Sequence, residues 1–346
     1  LQDSSAASDV YKRQMLNGIK EWFGSSGKTS SKSGSSADGT GIFVEVEELS
    51  SLSLLAQRKS RNKKVQARSR IGGQYQSPQK GRGLEYAETR AYEPGDDVRH
   101  IDWRVTARTE RPHTKLFREE RERPLMILLV LNRSMFFGTR QRLKSAQALR
   151  AAALAGWEAL YQGDRVGSMC LGNGGHLEFK PKGSRKHFLQ QLYKWSAFHN
   201  QLLEPLMGQN WSFHTADVMH EGMERLVQAV SPGSYIRIVS DGNGLEEKAR
   251  MHLNRLCLHN EVAFTLIHDP FEFELPVSGR FRVSDGEREA WLEGDTPKQR
   301  EHFQIKSLEY HQGLETYLRD QQVAYERIST ADDLSDWTSN LRGLRY

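Results

Sequence analysis

The most constraining feature of this sequence is the alternation of short apolar runs with helix-length segments from residue 124 onward. The run L-M-I-L-L-V-L at 125–131 is continuous and of strand length, which is typical of a strand covered on both faces of a sheet. The next segment, 143–160, places its apolar residues on one helical face. Further strands are predicted at 165–171, 235–240 and 262–268, and further helices at 184–198, 215–230 and 245–258. Because helix-length connections join parallel strands, we expect an α/β fold with a doubly wound, mostly parallel sheet and helices on both faces.

The chain before residue 124 divides by composition. Residues 24–41 are almost all Gly, Ser, Thr, Lys and Ala, a composition that favours disorder. Residues 1–14 precede Met15, which resembles a natural start, so we expect 1–14 to be non-native. The predicted parts are therefore a tail at 1–41 and a basic N-terminal segment at 42–123.

The α/β domain is expected to occupy residues 124–346 and to contain an insertion. The elements predicted for its second half are a hairpin at 280–292 and a helix at 297–320, which form a hairpin-helix insertion near 270–320, then a strand at 323–328 and a last helix from about 332.

Positive charge is concentrated before the midpoint of the chain. The 49 Lys and Arg exceed the 44 Asp and Glu by five, and residues 58–123 alone carry 18 basic against 10 acidic residues. The run Q-R-K-S-R-N-K-K-V-Q-A-R-S-R at 57–70 has seven basic residues and no acid. Contact with nucleic acid is one interpretation. However, no aromatic residue is interleaved and no binding motif surrounds the run, which favours a solvated helix face or a partner-docking arm.

The two cysteines, Cys170 and Cys257, exclude a disulfide scaffold and a zinc site with four thiolates. Both lie in apolar surroundings, which predicts buried free thiols. No run approaches the roughly 18 apolar residues that a membrane-spanning helix needs, and residues 1–14 lack the pattern of a secretory signal. We therefore expect a cytoplasmic protein without a membrane span.

Polar residues follow the predicted strands at their carboxyl ends. Asn132 and Ser134 follow the first strand, Asp241 follows a later one, Asp269 follows the next, and Thr215 begins a helix. In doubly wound sheets, ligands bind at this edge.

A long and specific motif lies at 81–108, G-R-G-L-E-Y-A-E-T-R-A-Y-E-P-G-D-D-V-R-H-I-D-W-R-V-T-A-R. It strongly resembles the hallmark of the bacterial "domain of unknown function 58" family. The resemblance continues through H-T-K-L-F-R-E-E-R-E, S-M-F-F-G-T-R at 134–140 and D-P-F-E-F-E-L-P with the following hairpin at 269–292, and it covers roughly 81–337. It implies a von Willebrand factor A-like domain preceded by a family-specific basic segment. Its implied partners are a MoxR-type AAA+ ATPase, usually encoded beside such proteins, and other von Willebrand A-like proteins.

The resemblance also implies a metal site. Von Willebrand A domains often hold Mg²⁺ at the top of the sheet through an Asp-x-Ser-x-Ser motif, with a Thr and an Asp from later loops. Ser134 matches the last Ser, Thr215 the Thr and Asp241 the later Asp, whereas Val130 and Asn132 replace the first Asp and the first Ser. The set Asn132, Ser134, Thr215 and Asp241 is therefore a degenerate site; no cofactor is expected, and Mg²⁺ is the ion such a site would take. The alternative is a vestigial site whose side chains hydrogen-bond the loop tops.

The 81–108 motif also carries its own physical pattern. The sequence E-P-G-D-D at 93–97 predicts a turn, in which Pro94 sets φ and Gly95 allows a positive φ. Arginines lie among acids, which favours charge-assisted pairs over a phosphate-binding surface. Ile101 and Trp103 are expected to anchor the segment against the sheet domain. We define the interaction platform as Arg90, Gly95, Asp96, Asp97, Arg99, Asp102, Trp103, Arg104 and Arg108. It is either a rigid docking surface or a structural brace.

The sequence carries no constellation that predicts catalysis. No Ser lies in a nucleophile elbow, no Gly-rich loop matches a phosphate cradle, and nothing places a second group across a cleft from Asp96 and Asp97. We therefore expect a non-enzymatic protein-interaction module, an adaptor of a MoxR-type AAA+ ATPase in the assembly or remodelling of a client protein. The alternative hypothesis is a nucleic-acid-binding protein that uses the run 57–70, with an affinity that falls steeply with salt.

Overall fold

The structure is a computed structural model that describes residues 41–70, 84–119, 124–173, 175–207, 215–275, 277, 280–284, 289–293, 296–335 and 337. By its internal contacts the chain forms two compact units, a larger one of Leu1–Asn62 with Pro124–Tyr346 and a smaller one of Lys63–Arg123.

The regular elements follow one another along the chain in this order: α1 (Val46–Arg70), β1 (Leu84–Ala91), α2 (Trp103–Thr109), β2 (His113–Glu119), β3 (Leu125–Val130), α3 (Lys144–Gln162), β4 (Val166–Gly172), β5 (Gly175–Lys182), α4 (Arg185–Met207), α5 (Thr215–Ala229), β6 (Tyr235–Ser240), α6 (Glu247–Cys257), β7 (Glu261–His268), β8 (Arg280–Ser284), β9 (Glu289–Glu293), α7 (Pro297–Asp320) and β10 (Ala324–Ser329). Short 3-10 helices lie at Val98–His100, Arg133–Phe136 and Pro270–Glu272.

The larger unit is built on a six-stranded sheet with the strand order β10-β7-β6-β3-β4-β5. Four neighbouring pairs are parallel, and only the edge strand β5 runs antiparallel to its neighbour β4. Every residue of β3 is buried, as a strand covered on both faces requires. The predicted α/β fold with a mostly parallel sheet is confirmed.

Helices cover both faces of this sheet, with one apolar cluster on each side. The first cluster joins the sheet to α1, α3 and α4, and its aromatic centre is formed by Trp157, Phe188 and Trp195, whose rings meet edge to face. The second cluster joins the sheet to α5, α6 and α7. The chain therefore winds to both sides of the sheet, and the carboxyl ends of the parallel strands remain as the edge at which loops meet.

The first half of α1 belongs to the larger unit. Leu49, Leu52 and Ala56 are buried in the first cluster, and Trp157 donates its indole N–H to the carbonyl of Leu49 at 3.1 Å. Apolar residues at this helical spacing need a surface to cover them, and the sheet domain supplies it. By internal contacts, the chain up to Asn62 groups with the larger unit, and Lys63–Arg123 form the smaller one.

The smaller unit is organised around the antiparallel pair β1 and β2, with a register irregularity between Tyr86 and Glu88. The 3-10 helix Val98–His100 and α2 lie in the connection between these strands. An isolated bridge between Ile101 and Thr114 ties this connection to β2.

The end of the described chain differs from its prediction. Residues 332–335 and 337 are not helical, so the last helix does not begin near 332. A side chain holds the turn instead, because Asp332 accepts the backbone N–H of Ser329 at 2.8 Å. The predicted tail 1–41 lies outside the described residues except for Gly41. Within the described part of the chain, no helix has both the length and the apolarity to cross a membrane.

Candidate functional site

Two neighbouring strands bring the first site residues together. Asn132 follows β3 and Asp241 follows β6, and these strands are paired in parallel. The amide of Asn132 donates to Oδ1 of Asp241 at 3.3 Å. Asn132 also begins the 3-10 helix that carries Ser134, because its side-chain oxygen accepts the backbone N–H of Met135 at 3.2 Å. The Ser134 hydroxyl lies 2.5 Å from Oδ2 of Asp241.

The structure therefore assembles three of the four residues predicted for the degenerate metal site, Asn132, Ser134 and Asp241. Thr215, the fourth, is the first residue of α5, and its side chain lies outside the described part of the structure.

Asn243, which was not among the predicted site residues, completes the hydrogen bonding of Asp241. Its backbone N–H donates to Oδ1 of Asp241 at 3.1 Å, and its side-chain amide donates to Oδ2 at 3.0 Å. Gly242 and Gly244 on either side have φ angles of 79° and 84°, which favour glycine, so the turn wraps back over the carboxylate. The available signal was the D-G-N-G pattern directly after a strand. Tyr310 of α7 caps the turn by donating its hydroxyl to Oδ1 of Asn243 at 3.1 Å.

Lys144 is the second residue that sequence reasoning missed, and it changes the chemistry of the site. It is the first residue of α3, and its side chain is 1% exposed. Its Nζ lies 3.0 Å from Oδ2 of Asp241 and 2.5 Å from Oε1 of Glu272. No local pattern marks this lysine as buried, because both of its partners are distant in the chain.

Glu272 is held in place by the loop after β7. Its other oxygen, Oε2, accepts the backbone N–H of Asp269 at 2.9 Å, while Asp269 accepts the backbone N–H of Phe271 at 3.0 Å. This reciprocal arrangement is a capping box on the 3-10 helix Pro270–Glu272. Asp269 also accepts the hydroxyls of Thr139 at 2.5 Å and of Thr330 at 2.6 Å. The predicted polar residue Asp269 therefore positions Glu272 rather than lying against Asp241.

The charges of the site are set by burial and by one another. Burial alone would lower the pKa of Lys144, but the carboxylates of Asp241 and Glu272 outweigh it and raise that pKa above its ordinary value. Burial would raise the pKa of Asp241, but Lys144 and the Ser134 hydrogen bond hold it below its ordinary range. Burial raises the pKa of Glu272 despite Lys144. Lys144 and Asp241 are thus a charged pair in the interior.

The residues around Asp241 do not fit a divalent metal ion. Mg²⁺ requires several oxygen ligands at about 2.1 Å and tolerates no cation in its first shell. The Oδ2 atom that would bind it is 3.0 Å from the Lys144 ammonium. The remaining candidates, Asn132 and Ser134, direct an N–H and an O–H at the same carboxylate.

An open cavity of about 520 Å³ lies at the Asn243 turn. It is lined by residues of the 242–246 loop, by Arg250 of α6 and by Glu309, Tyr310, Gly313 and Leu314 of α7. Its polar groups have mixed signs, and Arg250 is already engaged, since its Nε donates to the carbonyl of Leu245 at 2.9 Å and its guanidinium lies 4.3 Å from the ring of Tyr317.

In the smaller unit, the acids of the interaction platform stabilise the backbone. Arg90 pairs with Asp96 at 2.7 Å, and the other oxygen of Asp96 accepts the backbone N–H of Glu93 at 3.0 Å. Gly95 between them has a φ of 113°, as the predicted turn requires. Asp97 accepts the backbone N–H of Arg99 at 3.0 Å, and this bond lowers the pKa of the Asp97 carboxyl.

Asp102 is the N-cap of α2. One oxygen accepts the backbone N–H groups of Arg104 at 3.1 Å and of Val105 at 3.2 Å. The acids at 96, 97 and 102 are thus used within the unit, whereas Arg104 and Arg108 are exposed and form no ion pair with an acid among the described side chains.

Trp103, the first residue of α2, is exposed. Its side chain is 70% exposed, and Val98 in the preceding 3-10 helix is 61% exposed. The expectation that Ile101 and Trp103 anchor the segment against the sheet domain stays a prediction.

The basic run 57–70 forms the second half of α1. Four of its seven basic residues have side chains outside the described part of the structure, namely Lys63, Lys64, Arg68 and Arg70. Lys59 is not available to a ligand, because its ammonium donates to the carbonyl of Leu334 at 2.8 Å and to that of Trp337. Arg58 and Arg61 are exposed.

A buried histidine next to the site predicts a pH dependence of stability. His199 of α4 faces the Ser145 hydroxyl at 2.9 Å through Nε2 and the Asn200 side-chain oxygen at 3.0 Å through Nδ1. Burial lowers the pKa of His199 to about 4. The unfolded chain takes up a proton near pH 6.5 and the folded chain does not, so folding stability falls as the pH drops from 6.5 towards 4.

Between pH 7 and pH 4.5, we expect the free energy of unfolding of His199→Gln to fall by about 2–3 kcal/mol less than that of the wild type. Urea unfolding of both proteins at the two pH values measures this difference. Equal losses in the wild type and the variant would show that His199 is charged in the folded state.

Comparisons with known proteins place this geometry in a family. The model of the family described as "Protein of unknown function DUF58" matches residues 88–312, which is more than half of the chain. The uncharacterized protein Rv1480 of Mycobacterium tuberculosis and the uncharacterized protein Mb1516 of Mycobacterium bovis are each 30% identical over 207 residues, or 60% of this chain. The chain spans 62% of the length of these relatives.

Two solved structures show a weaker likeness. They are the conserved hypothetical protein BatB from Bacteroides thetaiotaomicron and an aerotolerance-related membrane protein from Bacteroides fragilis. Each is 14% identical, with a TM-score of 0.35 over 62% of this chain and 92% of the other. The family match covers both the interaction platform and the residues Asn132, Ser134, Lys144 and Asp241. The chain belongs to the family of proteins of unknown function DUF58.

Proposed function

We propose that this protein is a non-enzymatic adaptor that binds a partner protein through its interaction platform, and that the partner is a MoxR-type AAA+ ATPase. The observation that carries the proposal is the exposure of Trp103, 70% of whose surface faces solvent at the start of a capped helix. A large aromatic side chain contributes most to binding when a partner buries it, so the exposed Trp103 beside the exposed Val98 supports an interaction site here.

The charge around Trp103 supports a partner with an acidic surface. Asp97 and Asp102 are engaged by backbone N–H groups, whereas Arg104 and Arg108 are exposed. Trp and Arg are the residue types that dominate binding energy at protein interfaces. An acidic rim around an apolar pocket on the partner would complement this surface.

The polar cluster of the sheet domain supports a non-enzymatic role. Lys144, Asp241 and Asn243 are satisfied by one another. A catalytic acid, base or nucleophile must reach a substrate atom, and groups saturated in this way have no free position for one. Cys170 and Cys257 are free, and burial raises the pKa of the Cys257 thiol to about 11, which disfavours the reactive thiolate. We place the protein in the cytoplasm, where free thiols persist.

Binding of the wild type and of Trp103→Ala to a purified MoxR-type ATPase of the same organism tests the proposal. With ATP present, we expect the substitution to weaken binding by about 30-fold or more, as for a central interface residue. Tyr193→Ala is the matched control, since Tyr193 is an aromatic residue of the other unit that is 60% exposed. Its affinity should equal that of the wild type.

Arg104→Glu combined with Arg108→Glu supplies the charge test. This variant should lower the association rate and reduce the dependence of that rate on salt. Equal affinities of the wild type, Trp103→Ala and the charge-reversed protein would exclude the interaction platform as the binding surface.

The nucleic-acid hypothesis predicts a different result, which binding of DNA and RNA would measure. Single-stranded DNA and RNA of mixed sequence would bind with an affinity that falls steeply with salt, and charge reversal at Arg58 and Arg61 would abolish that binding while Trp103→Ala would not. Lys59 donates to the carbonyls of Leu334 and Trp337, so fewer ammonium groups on this face of α1 can contact phosphates.

A further inference from the structure

We propose that the ammonium group of Lys144 is the permanent cation of the strand-end site, in the place where a divalent metal ion would lie, and that the site works without a metal. The inference rests on the positions of the donors around Asp241 and goes beyond the adaptor function.

The carboxylate of Asp241 has no free lone pair for a metal ion. Oδ1 accepts from the Asn132 side chain at 3.3 Å and from the Asn243 backbone at 3.1 Å. Oδ2 accepts from Ser134 at 2.5 Å, from Lys144 at 3.0 Å and from the Asn243 side chain at 3.0 Å. An ionised carboxylate offers roughly four lone-pair positions, and these donors occupy all of them.

Lys144 itself stands where two acidic groups converge. Its Nζ contacts Asp241 and Glu272, which come from the ends of the neighbouring strands β6 and β7. Convergent carboxylates from adjacent strands are the ligands that a hard cation takes. Here the cation is a side chain of α3, so it occupies the site whatever metal ions the solution contains.

The surroundings hold the ammonium in place. The side chain is 1% exposed, and its backbone N–H donates to the carbonyl of Phe137 at 2.8 Å, which fixes the start of α3 beside the site. The capping box at Asp269 fixes Glu272 from the other side. A metal ion that entered would face a buried positive charge that cannot move to solvent.

Removal of the lysine should create a metal site. A small residue at 144 would leave two carboxylates facing a space the size of an ammonium group. The Ser134 hydroxyl can rotate its proton away from Oδ2 of Asp241, which frees a lone pair of that carboxylate and turns the hydroxyl oxygen towards an ion. Mn²⁺ and Mg²⁺ would then neutralise the acids that Lys144 neutralises in the wild type.

Cation binding to the full chain tests the proposal by calorimetry and thermal unfolding. After dialysis against EDTA, the wild type should show no one-site binding of MnCl₂ or MgCl₂ at about 1 mM or tighter. Lys144→Ala should unfold at a lower temperature than the wild type. With Mn²⁺ at about ten times its dissociation constant, the midpoint of the variant should rise by about 3 °C or more. The double variant Lys144→Ala/Asp241→Asn should lose this response.

Lys186→Ala, at an exposed lysine of α4, is the matched control and should behave as the wild type. One Mn²⁺ bound by the wild type and lost in Asp241→Asn would overturn the proposal. So would a folded Lys144→Ala protein that binds no more Mn²⁺ than the wild type. If circular dichroism shows that Lys144→Ala does not fold, the wild-type titration decides, since it needs no variant: one bound Mn²⁺ would overturn the proposal, and no binding would support it.

Discussion

Replacing Asp241 by alanine should lower the free energy of unfolding by about 3–5 kcal/mol, because it leaves a buried cation with one acid in place of two. Lys144 would keep only Glu272, and the side-chain amides of Asn132 and Asn243 would each lose one of their two acceptors in the interior. A buried donor without a partner costs the full free energy of its desolvation. Urea unfolding followed by circular dichroism measures the change.

Two further variants separate charge from packing at this position. Asp241→Asn keeps the shape of the side chain and removes its charge, so we expect most of the loss to remain. Asp320→Ala removes an exposed carboxylate at the end of α7 and should change stability by less than about 0.5 kcal/mol. A loss below about 1 kcal/mol for Asp241→Ala would mean that Lys144 reaches solvent or another acid.

Replacing Glu326 by alanine should also lower the free energy of unfolding by about 3–5 kcal/mol, because it leaves the buried guanidinium of Arg237 without its carboxylate. Arg237 of β6 is 1% exposed, and its guanidinium donates to Glu326 of β10 and to the hydroxyl of Thr265 at 2.7 Å. Glu326 also accepts the indole N–H of Trp337 at 3.2 Å. Without Glu326 the guanidinium would remain in the interior with a hydroxyl as its only polar acceptor among the described groups.

The double replacement Arg237→Met/Glu326→Leu tests the physical cause. Exchange of a buried ion pair for apolar residues of similar volume is often neutral, so we expect the double variant to recover most of the stability lost in Glu326→Ala. Equal losses in the single and double variants would attribute the effect to packing around Trp337 rather than to an unpaired charge. Chemical denaturation of the wild type and the two variants at pH 7 distinguishes these results.

The fold was largely predictable because its signals are local. The apolar run of β3, the one-sided pattern of α3 and the spacing of strands and helices after residue 124 each follow from a few consecutive residues. The meeting of Asn132, Ser134 and Asp241 was predictable too, since the ends of neighbouring parallel strands share one edge of the sheet.

The site was predictable only in part, because its charge balance depends on long-range contacts. Lys144 lies 97 residues from Asp241 and 128 residues from Glu272 in the sequence. Nothing in the segment around Lys144 indicates that its ammonium is buried, and a lysine at the start of a helix is ordinarily exposed. The metal-ligand pattern could be aligned on the sequence, but the cation that competes with a metal could not.

The interaction platform shows the same division. The turn at Gly95 was predictable from the residue types, because glycine allows a positive φ. The exposure of Trp103 was not, because an indole is ordinarily buried and its direction depends on how α2 leaves the turn.

Local sequence patterns predicted most of the elements, their alternation and the strand ends at which polar residues gather, since hydrophobic periodicity and turn chemistry act over a few residues. Which charges meet depends on the tertiary structure. It placed the Lys144 ammonium between Asp241 and Glu272 and left Trp103 in solvent, because burial and ion pairing are properties of groups that the fold brings together from distant parts of the chain.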